Sequence, residues 1–223
     1  MPAAACPLYL ECGVSSPGSW ERDDARTVAY FTERLAQHGD TPRSVDWGSV
    51  ESQRLRFAAL LDIGVRSGDS LIDVGCGTGA LLDYLQEKHI DVDYRGYDLT
   101  PSMIDLAKSR HPKVNFAVCN VIQEKQIEPA DYVIASGIFY LRQERPVAFL
   151  EAMVGRLWQF ARRGVAINCL SAWAAERDPN EFYADPAEAL AIARRISSHV
   201  VLRHDYHPRD FTIYLRREAW RPF

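Results

Sequence analysis

The chain has 223 residues, enough for one domain with a full core, and 47 % of them are apolar against 25 % charged. Its 26 basic and 30 acidic residues leave a net charge of −4, which is not the basic excess of a surface that tracks nucleic-acid phosphates. Cys6, Cys12, Cys76, Cys119 and Cys169 include no C-x-x-C pair and read as reduced thiols of a cytoplasmic protein, and no apolar run approaches the ~18 residues of a membrane span.

The first 20 residues lack a basic n-region and a long apolar h-region, so they read as a loose arm, not a signal peptide. From Glu21 to His38 the residues Val28, Phe31 and Leu35 recur at helical spacing. Ser49 is a candidate N-cap for a second helix through Leu55, Ala58 and Ala59 to Gly64. Residues 1–48 are accordingly expected to be an arm and a helical lid or flank, with the main domain at 49–223.

From Asp69 onward strand and helix signals alternate. "DSLIDV", "DVDYRGYDL", "KVNFAV", "DYVIAS" and "GVAINC" read as strands. Helices fall at "GALLDYLQEK", at "TPSMIDLAKS" with Thr100 as N-cap and Pro101 at the first position, at roughly Gln143 to Ala161, and at "DPAEALAIARRI". "HVVLRHDY" and "DFTIYLRR" are joined too tightly for a crossover helix and so form an antiparallel pair. The expected fold is α/β: a Rossmann-like, doubly wound seven-stranded sheet, mostly parallel with a reversed last strand, plus N-terminal helices.

The stretch "LIDVGCGTGALLDYL" carries the most chemistry. Gly75, Gly77 and Gly79 lie between a strand and a helix, where glycine permits a tight turn and close approach of a ligand to the backbone. Asp98, at the end of the second strand, is placed to accept from two ribose hydroxyls. The pattern also fits the dinucleotide fingerprint, which leaves an NAD(P)-dependent oxidoreductase as an alternative. Asp73, directly before the loop, would repel a pyrophosphate and would suit a ligand bearing an ammonium group.

These residues, with "YRGYDLTPSMIDLAK", "FAVCN", "DYVIASGIFYL" and "GVAINCLS" in the same order, resemble the class I S-adenosylmethionine-dependent methyltransferases over roughly residues 50–216. Within them the chain is loosely similar to small bacterial enzymes of the trans-aconitate methyltransferase type. The resemblance implies that S-adenosylmethionine binds and leaves as S-adenosylhomocysteine. It assigns Asp73, Gly75 and Gly77 to the methionine end, Asp98 to the ribose and Leu99 to the adenine face. Asn120 stands where the family often has an Asp for the adenine amino group, and Cys119 lies beside it. Cys76, Gly79, Met103, Val121 and Ser136 complete the expected cofactor pocket, with Trp47 and Arg56 contributed from before the main domain or its first helix. A cyclase or alkyl transferase using the same cofactor on the same fold is a further alternative.

The acceptor side is read from the loops after the strands. "ASGIFY" after the fourth strand lacks the N/D-P-P-Y/F pattern of base-methylating relatives, which points to a small-molecule acceptor such as a carboxylate, hydroxyl or amine. Ser136 and Asn168 stand where metal-dependent relatives carry carboxylates, so no metal is expected. The turn within "LRHDYHPRDF" falls on the ligand-facing edge of the sheet, making His204, Tyr206 and His207 candidate catalytic groups together with Asn168. The alternative for this turn is a capped hairpin with Asp205 and Arg209 paired. Phe139, Tyr140 and Tyr183 are candidate pocket aromatics. The protein is expected to act as a monomer or homodimer on a small molecule, without nucleic acid or membrane.

Overall fold

A computed structural model describes residues 20–219; Cys6, Cys12 and the expected arm up to residue 19 lie outside them. Helix α1 spans Glu21–His38, and a 3-10 turn at Pro42–Val45 leads to α2, Val50–Leu61. Ser49 caps α2 by accepting from the Ser52 amide at 3.1 Å. The α-helix stops at Leu61, and a turn carries the chain on to Gly64.

The alternating units follow as β1 (Ser70–Val74), α3 (Ala80–Glu87), β2 (Asp93–Asp98), α4 (Pro101–Arg110), β3 (Asn115–Val118), β4 (Ala130–Ala135), α5 (Pro146–Phe160), β5 (Ala161–Leu170), α6 (Pro186–Ile196), β6 (His199–His207) and β7 (Asp210–Arg216). Thr100 is the N-cap of α4 as expected, but its side chain does no capping: its amide donates to Asp98 Oδ1 at 2.8 Å.

The seven strands run in the order β3-β2-β1-β4-β5-β7-β6, and β7 is antiparallel to both of its neighbours. The reversed last strand thus lies inside the sheet. Its composition explains this: Phe211, Ile213, Tyr214 and Leu215 are all buried, whereas β6 carries Arg203, His204 and Asp205 and takes the edge.

Strand alternation divides the apolar residues between two layers. Ile72, Val133 and Val165 meet α5 and α6 through Leu150, Leu157 and Ile192. Leu71, Ile134 and Ala166 meet α2, α3 and α4 through Leu60, Leu85 and Ile104. The parallel strands therefore end together at one edge, where the connecting loops build concave ground. Among the described residues no helix is long and apolar enough to cross a membrane.

Candidate active site: two adjoining cavities

Two cavities open along the carboxyl edge of the sheet, and Val45, Trp47 and Gly137 line both. The first lies over β1, β2 and β4. Of the expected cofactor residues, Trp47, Asp73, Gly75, Cys76, Gly77, Asp98, Leu99, Met103, Cys119, Asn120, Val121 and Ser136 line it. Gly79 stands just outside as the left-handed N-cap of α3, and Arg56 lies in the second cavity.

The β1–α3 loop is shaped by its backbone. Gly75 has φ +74, and a Cβ there would meet Ile138 Cγ2 at 2.2 Å. A side chain at this position would thus be both strained and crowded. The loop is tied to β2 by Asp98, whose Oδ2 accepts from the Gly77 amide at 2.9 Å while Oδ1 accepts from Thr100. Each oxygen keeps a second lone pair for a ligand. Burial raises the Asp98 carboxyl, and the Thr100 and Gly77 amides oppose the rise.

Asp73 is buried at the bottom of this cavity and accepts from the Tyr94 hydroxyl at 2.5 Å. Burial pushes its carboxyl up to about 7; the Tyr94 hydrogen bond opposes this and the charge of Asp98 adds to it. A buried carboxyl so raised favours a cationic ligand group, since a positive charge beside it offsets the cost of ionising it.

Asn120 is engaged within the protein at both ends of its amide. Its Oδ1 accepts from the Ile122 amide at 3.1 Å, and its Nδ2 donates to Asp24 Oδ2 at 2.7 Å. The carboxylate on this wall is therefore Asp24, brought in by α1 together with Thr27 and Phe31. Sequence reasoning missed these three, because a helix that ends at His38, well before β1 begins at Ser70, gives no local sign of where it docks; their spacing at i, i+3 and i+7 was the available signal.

Asp46 holds α1 in place. It sits in the left-handed region at φ 58; its Oδ2 accepts from both Tyr30 and Tyr140 hydroxyls at 2.6 Å, and its Oδ1 pairs with Arg34 at 2.6 Å. Burial and the Asp46 charge push the Tyr30 phenol up to about 12 and raise that of Tyr140 further, so both remain donors at neutral pH.

The second cavity lies over β5 and the β6–β7 turn and is lined by Arg56, Phe139, Tyr140, Asn168, Glu181, His207, Arg209 and Asp210, among others. Asn168 is buried, accepts from the Gly137 amide at 2.9 Å and donates to Ser136 Oγ at 3.3 Å. It fixes the loop after β4 between the two cavities. Arg56 is not free to hold a cofactor carboxylate: it grips Asp210 through Nε to Oδ1 at 2.9 Å and through Nη2 to Oδ2, and stacks on Trp47 at 4.7 Å.

The charged turn divides. His207 reaches the second cavity, with Nδ1 2.5 Å from Asp210 Oδ2. His204 stacks between Trp173 and Phe211, bonds Ser171 Oγ at 2.7 Å and lines neither cavity. Tyr206 bonds Thr212 Oγ1 at 2.9 Å and also lines neither. The register of β6 against β7 slips between Arg203 and His207, which separates these side chains. Asp205 pairs with Arg203, and Arg209 pairs with Glu181, so the Asp205–Arg209 pair of the alternative reading does not form. Tyr183 meets this edge, accepting from Arg209 at 2.6 Å. Among the described residues no group of three His, Cys, Asp or Glu side chains is gathered to hold a metal ion.

A family described as a methyltransferase domain matches residues 72–159. A Mycobacterium tuberculosis protein described as a methyltransferase, Rv1506c, is 37 % identical over 160 residues, a match that covers 67 % of this chain and 94 % of that one. Among solved structures, the magnesium protoporphyrin IX methyltransferase of Synechocystis PCC 6803 with bound S-adenosylhomocysteine superposes with a TM-score of 0.64 at 16 % identity, over 88 % of this chain and 100 % of that one. The geranyl diphosphate C-methyltransferase of Streptomyces coelicolor A3(2) superposes with a TM-score of 0.59 at 11 % identity, over 90 % and 98 % of the two chains.

Proposed function

The chain belongs to the methyltransferase family, and on that footing we propose that it binds S-adenosylmethionine in the first cavity and methylates a small molecule held in the second. The observation that carries this reading is the pair of carboxylates at the ends of β1 and β2. Asp73 gives the cavity an anionic floor where a pyrophosphate would be repelled, and Asp98 offers open lone pairs at a ribose position.

The donor set fits the group. Asp73 would take the ammonium and Asp98 the ribose hydroxyls, while the Gly75 and Cys76 amides, donating to the Tyr97 carbonyl, and the Gly77 amide, donating to Asp98, hold the loop in place. Leu99, Met103 and Val121 supply apolar contact for the adenine, and Asp24 accepts from its amino group. When bound, the cofactor supplies an activated methyl on a sulfonium. The protein's part is alignment and exclusion of water. Trp47 and Gly137, common to both cavities, hold the passage between them, and Asn168 fixes Gly137. The transfer is a metal-independent in-line displacement across that passage.

Calorimetric titration with S-adenosylhomocysteine and, separately, NADH tests the reading. Micromolar binding of S-adenosylhomocysteine alone is expected. Binding of NADH in its place would mean that the glycine loop holds a pyrophosphate.

A further inference from the structure

In the second cavity Arg56, Asp210 and His207 form a chain of contacts. Arg56 reaches both oxygens of Asp210, and its remaining nitrogen Nη1 donates to the Ser52 carbonyl at 2.8 Å. The Arg56 and Asp210 side chains are 6 % and 4 % exposed, so the carboxylate cannot swing away to water. His207 Nδ1 lies 2.5 Å from Asp210 Oδ2 and 3.2 Å from the Arg209 amide nitrogen, and the shorter contact, made to a carboxylate, favours the proton on Nδ1 over acceptance from that amide. The lone pair is left on Nε2, which has no partner among the described residues, on a ring that lines the cavity.

The charged surroundings of His207 are Arg56 from α2, Asp210 from β7, Arg209 from the turn and Glu181 from the β5–α6 loop, with Asp46 and Tyr140 across the cavity. Burial and the Arg56 charge lower the imidazole's proton affinity more than Asp210 raises it, so the ring is neutral at pH 7 and able to accept a proton. The cations lining this cavity are spent. Arg56 is held by Asp210, and Arg209 by Glu181 at 3.2 Å and Tyr183. Among the described residues that line the cavity, neither arginine is without a carboxylate partner. Trp47, Phe139 and Tyr140 offer flat walls instead.

We propose that His207 is the general base for a hydroxyl acceptor on an aromatic or enolic carrier, with Asp210 and Arg56 as the positioning residues that fix its tautomer. The inference rests on the methyltransferase reading and narrows its acceptor. The acceptor O–H bond breaks and its proton goes to His207 Nε2. The oxygen pair forms the new O–CH3 bond, and the C–S bond breaks with its electrons remaining on sulfur. The products are a methyl ether, S-adenosylhomocysteine and an imidazolium that returns its proton to water. A weakly basic imidazole suits a phenol, whose proton leaves at about 10, and is too weak for an alkanol.

The test uses the full chain loaded with S-adenosylhomocysteine. Nitrogen NMR of the histidine rings is expected to show a neutral His207 with its proton on Nδ1, and Asp210→Asn is expected to move that proton to Nε2. With 4-nitrophenol as acceptor, below its own pKa, and labelled S-adenosylmethionine as donor, label transfer is expected to fall at least tenfold in His207→Gln, while S-adenosylhomocysteine affinity is unchanged. With labelled S-adenosylmethionine, 4-nitrophenol is expected to take label ahead of benzoate and benzylamine. A wild-type proton on Nε2, undiminished label transfer in His207→Gln, or benzoate or benzylamine labelled first overturns the assignment of base and acceptor and leaves the cofactor reading standing. Failure to bind S-adenosylhomocysteine overturns both.

Discussion

The two cavities share a wall and differ in how they are built. The first is made largely from consecutive residues at the ends of β1, β2 and β3, where backbone amides and two carboxylates do the work. The second depends on an ion pair between residues 154 positions apart, buried beneath a turn. A site of the first kind tolerates loss of a side chain at a cost in ligand affinity, whereas a site of the second kind is part of what holds the sheet together. Substitutions should therefore separate the two cavities by what they damage.

The largest effect is expected at Asp210→Ala. It strands the Arg56 guanidinium in the interior, and breaking such a buried pair costs about 3–5 kcal/mol. Urea unfolding should show the loss as a lower midpoint with an unchanged slope. A loss under about 1 kcal/mol would mean that the pair is solvated and that the second cavity is not structurally committed.

Asp98→Ala comes next and should act on binding instead. Removing an acceptor shared by the loop and the ribose weakens S-adenosylhomocysteine by about 1–3 kcal/mol, read by calorimetry. Unchanged affinity would remove Asp98 from the ligand. The smallest functional effect belongs to His204→Ala. It gives up the Ser171 hydrogen bond and the stacking on Trp173 and Phe211, so it should lower the unfolding midpoint modestly and leave S-adenosylhomocysteine affinity as it was. Loss of ligand binding in that variant would join His204 to the site.

The same division marks what the amino-acid order reveals. The alternation from Asp69 onward, the extent of α1 and the cofactor residues around Gly75 and Asp98 are local patterns with local consequences, and the fold follows them closely. Which of Asp73, Gly75 or Asp98 touches a ligand is decided within a few residues of a strand end. Arg56 is different: read alone it is a free cation for the cofactor, and only the docking of α2 against β7 shows it committed to Asp210. His204 and His207 look equivalent in sequence, and a slip in register separates them. Asp24 shows only its helical spacing with Thr27 and Phe31, and Asp46 not even that, because their partners, Asn120, Tyr30 and Tyr140, are set by the packing of α1.

If Asp73 faces a cationic ligand group, as proposed, its own proton is the most direct witness. In the free protein burial holds the carboxyl at about 7, above its ordinary value near ~3.9. Its contribution to stability is therefore fully present below that ordinary value and is lost as pH rises through about 7. A cation on Asp73 reverses the preference, so binding releases a proton at and below about 7. The measurement is a calorimetric titration with S-adenosylhomocysteine between about pH 5.5 and about pH 8.5, in buffers of different ionisation enthalpy. Affinity is predicted to climb by up to roughly tenfold per pH unit below about 7 and then level off, with roughly one proton released at the acid end. A flat affinity with no proton exchange would contradict the claim.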